Sequence, residues 1–304
     1  MDFGRLPDIS TVHFTLPPDH PMTSEVLRKS TAAPKIYVGC PVWGDKRFVG
    51  KIYPKGTKAK DFLKVYSTKF NAIELNATGY GIPSQSDVEA WKNMVGEGFV
   101  FCPKVSRPIS HVSPLAKDKA ALKLFCNNMH AFEDHLGTVF LQLPPYFSSQ
   151  RINELLKFFD QWDDTLPLHV ELRHPDWFLN REVLDTLFEA MRERNIGAVI
   201  TDVSGRRDVL HQYLTTPSAF IRFDAHDLHP SDFTRLDDWA ERVKQWIDRG
   251  LRQLYFFVHT PEKYLTPDLS NYFIERLNML CGFSLRTATI DRPGSDSLFM
   301  SGNK

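Results

Sequence analysis

Short apolar runs recur along most of the chain and alternate with stretches of helical periodicity. The runs are rich in Val, Ile, Leu and Phe, which is typical of parallel strands that are buried on both faces. Eight such runs predict strands at Ile36–Gly39, Ala72–Leu75, Phe99–Val105, Thr138–Leu143, Leu168–Leu172, Gly197–Asp202, Ala219–Asp224 and Leu254–His259.

The stretches between these runs place apolar residues on one face of a helix. Ser86 and Glu89 have the spacing of a capping box, and Gly250 is a stop signal after an amphipathic stretch. The stretch at Arg206–Tyr213, between the sixth and seventh runs, has the weakest helical pattern. Clearer helices are predicted at Lys60–Phe70, Ser86–Val95, Leu115–His135, Asn153–Trp162, Arg181–Arg194, Asp237–Arg249 and Thr266–Leu280.

Strands that alternate with helices indicate an α/β protein with parallel strands joined by crossover connections. Eight strand–helix units predict a (β/α)₈ TIM barrel. A doubly wound open sheet is the competing fold, but the first strand is not followed by the glycine-rich turn typical of that class. We therefore expect one barrel domain at 34–282, with an N-terminal extension at 1–33 lying over it and a flexible C-terminal tail at 283–304.

Composition narrows the class of partner. Lys and Arg together number 37, as do Asp and Glu, so no net charge attracts nucleic acid or a membrane surface. A local basic groove would still permit nucleic-acid binding. The four cysteines are far apart and the chain has no apolar run long enough to span a membrane, so we expect a cytoplasmic protein with reduced thiols. The sequence does not indicate an oligomeric state.

Polar residues occur at the ends of the predicted strands, where a TIM barrel places its active site. The fifth strand ends with Glu171 and Arg173, which point to the same side about 7 Å apart because side chains alternate along a strand. The same spacing relates Glu74 to Asn76 and Arg222 to Asp224. Three strands therefore predict one polar pocket, and the intervening residues Leu75, Leu172 and Phe223 should face the helices.

These residues suggest chemistry as well as position. We expect Glu74 and Glu171 to transfer protons, and Lys104 to act as a general base or a Schiff-base nucleophile. Simple pairing is the alternative, with Glu171 bridging Arg173 and Lys104 bridging Glu74. The residues expected to bind or enclose the substrate are Trp43, Asn76, Tyr80, Arg107, Gln142, Arg173, His174, Trp177, Asp202 and Arg222.

The segments at the strand ends resemble the YecE-like family of unknown function, domain-of-unknown-function family 72. The resemblance covers roughly residues 35 to 260, and it implies a (β/α)₈ barrel without implying a reaction. It rests on Val38-Gly39-Cys40-Pro41-Val42-Trp43, Ile73-Glu74-Leu75-Asn76-Ala77-Thr78-Gly79-Tyr80, Lys104-Val105-Ser106-Arg107-Pro108-Ile109-Ser110-His111, Leu141-Gln142-Leu143-Pro144-Pro145 and Val170-Glu171-Leu172-Arg173-His174-Pro175-Asp176-Trp177.

Three strands depart from the family's usual pattern. Cys40 and the two residues after it replace the middle of a Gly-Thr-Ser-Gly-Trp motif. Asp224 stands in a segment that usually reads Arg-Leu-His-Gly, and His259 begins a segment that usually reads Asn-Asn-Asp. The resemblance therefore assigns no role to Cys40, Asp224 or His259.

The leading hypothesis is an enzyme that applies acid–base chemistry to a small polar or anionic substrate, with no cofactor and no metal. One alternative is a metal-dependent phosphodiesterase or nuclease, in which a divalent ion would be held by carboxylates and by His174, His226, His229 and His259. The chain lacks the compact His-x-His or His-Glu-x-x-His spacing of many such sites. The other alternative is a barrel that binds a ligand without turnover.

Overall fold

The computed structural model describes residues 3–28 and 32–291. Eight parallel strands form one sheet, and each lies within two residues of a predicted run at both ends. The strands are β1 (Lys35–Cys40), β2 (Ala72–Leu75), β3 (Val100–Pro103), β4 (Val139–Gln142), β5 (Leu168–Glu171), β6 (Gly197–Asp202), β7 (Ser218–Asp224) and β8 (Gln253–His259).

The sheet closes on itself as a barrel. Regular pairing runs in the order β3-β2-β1-β8-β7-β6-β5-β4. Between β3 and β4 the pairing is sparser, with isolated bridges from Phe101 to Leu136 and from Lys104 to Phe140. The amide of Val105 also donates to the carbonyl of Phe140 over 2.9 Å. The predicted (β/α)₈ barrel is thus confirmed, and the open doubly wound sheet is wrong because β8 joins β1 and these bridges join β3 to β4.

Helices follow most of the strands. The helices are α1 (Pro21–Val26), α2 (Phe62–Tyr66), α3 (Gln85–Lys92), α4 (Arg107–Ser110), α5 (Lys119–Met129), α6 (Ile152–Phe159), α7 (Asp176–Leu179), α8 (Arg181–Glu193), α9 (Pro230–Arg249) and α10 (Thr266–Cys281). The predicted stop at Gly250 is confirmed, since this residue ends α9 with a left-handed φ of 115°.

The predicted starts of α3, α5 and α9 differ from the structure, and α5 begins at Lys119 rather than Leu115. The cap of α3 is Ser84, whose hydroxyl accepts from the amide of Asp87, and the Asp87 carboxylate accepts from the Ser84 amide in return. The predicted box at Ser86 and Glu89 is displaced by this earlier reciprocal pair. Helix α9 begins at Pro230 rather than Asp237, because a proline at the first helical position leaves no amide to satisfy.

The sixth strand is not followed by an α-helix. The weak pattern at Arg206–Tyr213 gives only a 3₁₀ turn, Arg207–Val209, so the predicted helix there is wrong. Residues 3–28, the N-terminal arm, occupy the gap between α8 and α9. Glu25 pairs with Arg192 of α8 at 2.8 Å, and Asp19 pairs with Arg242 of α9 at 2.8 Å. The arm with its helix α1 therefore covers the barrel wall where a sixth helix would lie.

Side chains that point into the barrel form two layers. The layer nearer the N-terminal strand ends, which we call the lower layer, is apolar and aromatic. It consists of Ala72, Val100, Cys102, Phe140, Val199, Phe220, Tyr255 and Phe257. The ring of His169 packs among them, against Phe220 and Tyr255. Two residues further along the strands, the inward positions carry Glu74, Lys104, Gln142, Glu171, Thr201, Arg222 and His259. We call the second set the mouth layer. Leu75, Leu172 and Phe223 belong to the larger core beneath the helices, as the alternation predicts.

The first part of the predicted C-terminal tail is packed. The side chain of Asn271 in α10 exchanges hydrogen bonds with both backbone groups of Ala288, which is 4% exposed. The amide of Asp291 donates to the carbonyl of Lys51 over 2.8 Å. Residues 283–291 are thus held against the barrel, and the remainder of that prediction lies outside the described residues. Within the described ranges no helix has both the length and the apolarity needed to cross a bilayer.

Candidate functional site

Arg222 on β7 joins two buried glutamates at the barrel mouth. Its Nε and Nη2 atoms each donate to one carboxylate oxygen of Glu74 on β2, both over 2.9 Å. Its Nη1 atom donates to the carboxylate of Glu171 on β5 over 2.9 Å. Both glutamates are completely buried, so this bidentate and bridging geometry replaces the water that the three charges lose.

Neighbouring side chains complete the hydrogen bonding of Glu74. The amide of Asn76 donates to its Oε1 atom over 2.8 Å, and Nε2 of His259 lies 3.0 Å from its Oε2 atom. Burial opposes ionisation of Glu74, but the charges of Arg222 and His259 outweigh it and hold the pKa of this carboxyl well below its ordinary value.

Glu171 is held in the same way. Gln142 donates to it over 2.7 Å and the Nε atom of Arg173 over 2.9 Å, while the hydroxyl of Thr201 donates over 3.2 Å. Burial opposes its ionisation as well, yet Arg173 and Arg222 lower the pKa of Glu171 to about 2. A carboxylate of this kind has no proton to give at neutral pH and is a weak base. The arrangement suits a charge network better than the proton transfer expected of both glutamates.

Lys104 differs from the glutamates because its charge is poorly supported. Its Nζ atom donates to Oε1 of Gln142 over 2.6 Å, and no carboxylate in the described ranges lies within ion-pair distance of it. Burial and then the neighbouring charge of Arg222 lower the pKa of this amine to about 8. Pairing with Glu74, the alternative for Lys104, is not observed.

The loop after β2 shapes the space around Lys104. The hydroxyl of Thr78 donates to the carbonyl of Lys104 over 2.7 Å, and the hydroxyl of Ser106 donates to the carbonyl of Thr78 over 2.5 Å. A Cβ atom on Gly79 would lie 3.0 Å from Cδ of Lys104. A glycine at this position therefore lets the lysine side chain lie against the loop and extend into the mouth.

Two cavities open at the mouth on either side of Arg222 and His259. The first, of about 230 Å³, takes its polar lining from Asn76, Lys104, Arg107, Arg222, His259 and Lys263. Tyr80 stands at its edge, 76% exposed, with the guanidinium of Arg107 5.3 Å from the centre of its ring. The described lining of this cavity contains four cationic side chains and no carboxylate.

The second cavity, of about 320 Å³, lies towards β6 and the N-terminal arm. It shares Arg222, His259 and Lys263 with the first cavity, and its charged lining is completed by Arg5, Arg173 and Asp224. Larger cavities of about 460 and 540 Å³ lie at the opposite end of the barrel, against turns and helix ends. The mouth is the better candidate because the buried ionised side chains of Glu74, Glu171 and Arg222, from three strands, converge there.

Two residues predicted to bind substrate lie in the protein interior instead. Trp177 is completely buried, and its indole nitrogen donates to the carbonyl of Phe147 over 2.8 Å. Asp202 is completely buried on the outer side of β6, where it pairs with Arg235 at 2.8 Å and accepts from the indole of Trp239. Neither residue lines a mouth cavity. On β6 it is Thr201 that points inward, so the next residue must point outward.

Two further predicted residues lie near the rim without lining either cavity. Trp43 packs edge-on against Trp91, with ring centres 6.5 Å apart. His174 turns towards its own loop, where its Nδ1 atom accepts from the amide of Asp176 over 3.2 Å. The loops after β1 and β5 thus aim these side chains away from the space that Lys104 and Arg173 face.

Four residues at the mouth were not predicted from the sequence. The hydroxyl of Thr201 donates a hydrogen bond to Glu171. Lys263 borders both cavities, and Phe3 and Arg5 border the second cavity. Alternation from Val199 could have identified Thr201, but β6 is apolar on both faces before it and its register was therefore ambiguous. The other three lie on irregular segments, for which strand periodicity carries no signal.

Metal-ligating groups do not gather in the described part of the chain, where no three His, Cys, Asp or Glu side chains form a cluster. His229 caps α9, its Nδ1 atom accepting from the amide of Ser231 over 3.2 Å. Glu74 and Glu171 use their oxygens on the arginine, amide and imidazole partners already described. No specific arrangement of donors therefore favours the metal-dependent alternative.

The chain matches a family and known relatives in sequence. The family described as "Protein of unknown function DUF72" matches residues 37–289. The UPF0759 protein YecE of Escherichia coli K12 is 27% identical over 260 residues, which cover 80% of this chain and 92% of that protein. The UPF0759 protein YunF of Bacillus subtilis strain 168 is 27% identical over 150 residues, which cover 47% of this chain and 52% of that protein.

A solved structure supports the fold. A crystal structure of a DUF72 family protein from Enterococcus faecalis V583 superimposes with a TM-score of 0.65 and 18% identity, covering 85% of this chain and 98% of that one. A second crystal structure of a DUF72 family protein from the same organism gives a TM-score of 0.60, covering 73% and 94%. Because the matched family region spans β1 to the residues after α10, the chain belongs to the DUF72 family of proteins of unknown function.

Proposed function

We propose that the barrel mouth binds a small anionic ligand and that Lys104 transfers a proton to or from it. The observation that carries this proposal is the lining of the first cavity, where Lys104, Arg107, Arg222 and Lys263 meet and no described residue contributes a carboxylate. A cavity of about 230 Å³ suits a small metabolite rather than a polymer.

The cations differ in how much of their charge a ligand could use. Arg222 donates hydrogen bonds to Glu74 and Glu171, so it holds the side chains of the mouth in position. Arg107 and Lys263 are exposed, and neither has a carboxylate within ion-pair distance among residues 3–28 and 32–291. A phosphate or carboxylate at the mouth would be the counter-ion that these two side chains lack.

Lys104 is the best candidate for proton transfer at the mouth. A group is most effective as a general base when its pKa lies near the working pH, and the pKa of Lys104 is about 8. Gln142 positions the amine, since one end of its amide donates to Glu171 while the other accepts from Lys104. Glu171 thus acts on Lys104 through Gln142, as a positioning residue.

Binding is tested by titrating the protein with inorganic phosphate and measuring heat at pH 7. We expect the variant Lys104→Gln with Arg107→Gln to bind at least about 10-fold more weakly, because it removes two of the four lining charges. The matched control is Lys123→Gln, which removes an exposed lysine on α5 that lines neither mouth cavity. Equal affinity in all three proteins would contradict the proposed anion site.

Proton transfer is tested separately with a panel of sugar acids and sugar phosphates in D₂O. We expect the wild-type protein to exchange a carbon-bound hydrogen of at least one compound, which proton NMR detects as a lost signal. Lys104→Met should abolish that exchange while the protein remains folded. Exchange that persists in the Lys104 variant would show that another group moves the proton, and no exchange with any compound would leave a binding protein without this chemistry.

A further inference from the structure

The tip of the N-terminal arm, residues Phe3 to Leu6, docks on the edge of the barrel mouth. The carbonyl of Gly4 accepts from the amide of Gly205, just after β6, over 2.5 Å. The amide of Leu6 donates to the hydroxyl of Ser204 over 3.3 Å. Two backbone-directed contacts therefore place the tip beside the mouth layer.

The docking of the tip depends on two glycines. Gly4 has a φ of +69°, and a Cβ atom there would collide with the side chain of Arg206. A Cβ atom on Gly205 would collide with the carbonyl oxygen of Gly4. A side chain at either position would force the two backbones apart, so the approach requires glycine on both sides.

Arg5 changes the charge of the second cavity. Its Nη2 atom donates to Oδ1 of Asp224 over 2.6 Å, and both side chains line that cavity. Asp224 is the one carboxylate in the described lining of the two mouth cavities. Without Arg5, its charge would face the same space as Arg173 and would repel an anion there.

Phe3 forms an aromatic wall of the same cavity. Its ring lies 4.3 Å from the guanidinium carbon of Arg173 and 4.9 Å from that of Arg206. Arg173 uses its Nε atom on Glu171, and within residues 3–28 and 32–291 its two Nη groups have no hydrogen-bond partner. The ring therefore shields a guanidinium that still has donors to offer to a ligand.

We propose that the tip of the N-terminal arm is part of the ligand site, where Arg5 neutralises Asp224 and Phe3 closes the side of the second cavity. The tip borders a cavity of about 320 Å³ and leaves it open, which fits a wall better than a plug. This inference rests on the proposed anion site. It adds that the arm makes the mouth selective for anions and limits the size of the ligand.

The charge role is tested by titrating inorganic phosphate into variants of the full chain. Arg5→Gln should weaken binding about 10-fold, because it uncovers the charge of Asp224. Adding Asp224→Asn to Arg5→Gln should restore the wild-type affinity, since the pair is then neutral again. Equal affinity of the wild type and Arg5→Gln, or a double variant as weak as Arg5→Gln, would overturn the inference while leaving the anion site standing.

The position of the tip is tested without altering any charge. Gly205→Ala should prevent the tip from docking, because a Cβ atom there collides with the carbonyl oxygen of Gly4. Gly44→Ala is the matched control, because a Cβ atom there meets nothing within 4 Å. We expect Gly205→Ala to weaken phosphate binding as Arg5→Gln does, and to speed modification of Arg173 by phenylglyoxal several-fold. Unchanged labelling and affinity, or a gain in affinity that shows the tip to be a plug, would overturn the inference. Absence of phosphate binding in the wild type would overturn the anion site and the inference together.

Discussion

The two layers inside the barrel come from the same strands and lie two residues apart. One layer is filled by apolar side chains, whereas the other contains buried charges. In the lower layer Phe140 and Phe220 fill the interior with apolar surface, and His169 is kept neutral. In the mouth layer the corresponding positions are Gln142, a neutral amide, and Arg222 and Glu171, two buried ionised groups. Two residues along each strand thus separate the apolar core from the candidate site.

The two layers differ in how they affect the stability of the fold, and the mouth layer is the less favourable one. Apolar burial in the lower layer is favourable by itself, whereas each charge of the mouth layer loses water and must be compensated by a partner. Glu74, Glu171 and Arg222 compensate one another, but Lys104 receives no carboxylate from the described part of the chain. A group left in this condition at the open end of a barrel is expected of a functional site rather than of a core.

The largest effect should come from breaking the mouth layer at Arg222. Arg222→Met leaves two buried carboxylates without their bridge, and we expect it to lower the free energy of unfolding by ~3–5 kcal/mol. Urea unfolding at pH 7 measures this loss. In the lower layer Phe220→Leu should cost only ~1 kcal/mol, because it exchanges one apolar side chain for another. Similar losses in both variants would contradict the distinction between the layers.

A second test uses the same network with its charges removed together. Arg222→Met combined with Glu74→Gln and Glu171→Gln should be more stable than Arg222→Met alone, since the two buried glutamates then carry no charge that needs the bridge. If the triple variant is less stable than the single one, the two glutamates contribute packing that their charge does not explain.

Between pH 7 and pH 4.5 the lower layer should lose more stability than the mouth layer. His169 is completely surrounded, and burial lowers its pKa to about 4, below the ordinary 6.5. Between these two values the unfolded chain binds the proton and the folded protein does not, so stability is lost as the pH falls. We expect a loss of ~2 kcal/mol between pH 7 and pH 4.5 from this residue.

Urea unfolding of His169→Asn at the two pH values measures that loss. Its hydroxyl partner Thr138 lies 2.9 Å from the His169 Nδ1 atom, so the variant will also be less stable at pH 7. The relevant quantity is the pH dependence, which should be shallower than in the wild type. Phe220→Leu, in the same layer, is the control, because it changes no titratable group and should keep the pH dependence of the wild type. A dependence equally steep in His169→Asn would show that this histidine titrates normally.

The smallest expected effect is a gain. Lys104→Met removes a poorly compensated charge from the mouth, and we expect it to stabilise the protein by ~1–2 kcal/mol at pH 7. The pKa of Lys104 is lowered from 10.5 to about 8, so the unfolded chain binds more protons between these values. The advantage of the variant should therefore be full below pH 8 and should disappear as the pH rises towards 10.5. An advantage independent of pH would point to packing instead.

Parts of the mouth were predictable because strand geometry is simple. Alternation alone brought Glu74 beside Asn76 and Glu171 beside Arg173, and both pairs form hydrogen bonds. The same rule failed for Asp202, because β6 is apolar on both faces and its inward register is set by pairing with β5 and β7. A polar residue at the end of such a strand can face either the mouth or the helices.

The sequence by itself determined the eight strands, their order of alternation with helices and the polar character of their ends. Those features follow from local periodicity, which needs no knowledge of distant contacts. Only the tertiary structure decided that Arg222 bridges glutamates from two other strands and that the N-terminal arm reaches the mouth. It also decided that, among the residues the structure describes, no carboxylate pairs with Lys104. Each of these depends on residues brought together by barrel closure or by the missing sixth helix, and contacts between residues so far apart in the chain leave no periodic trace in the sequence.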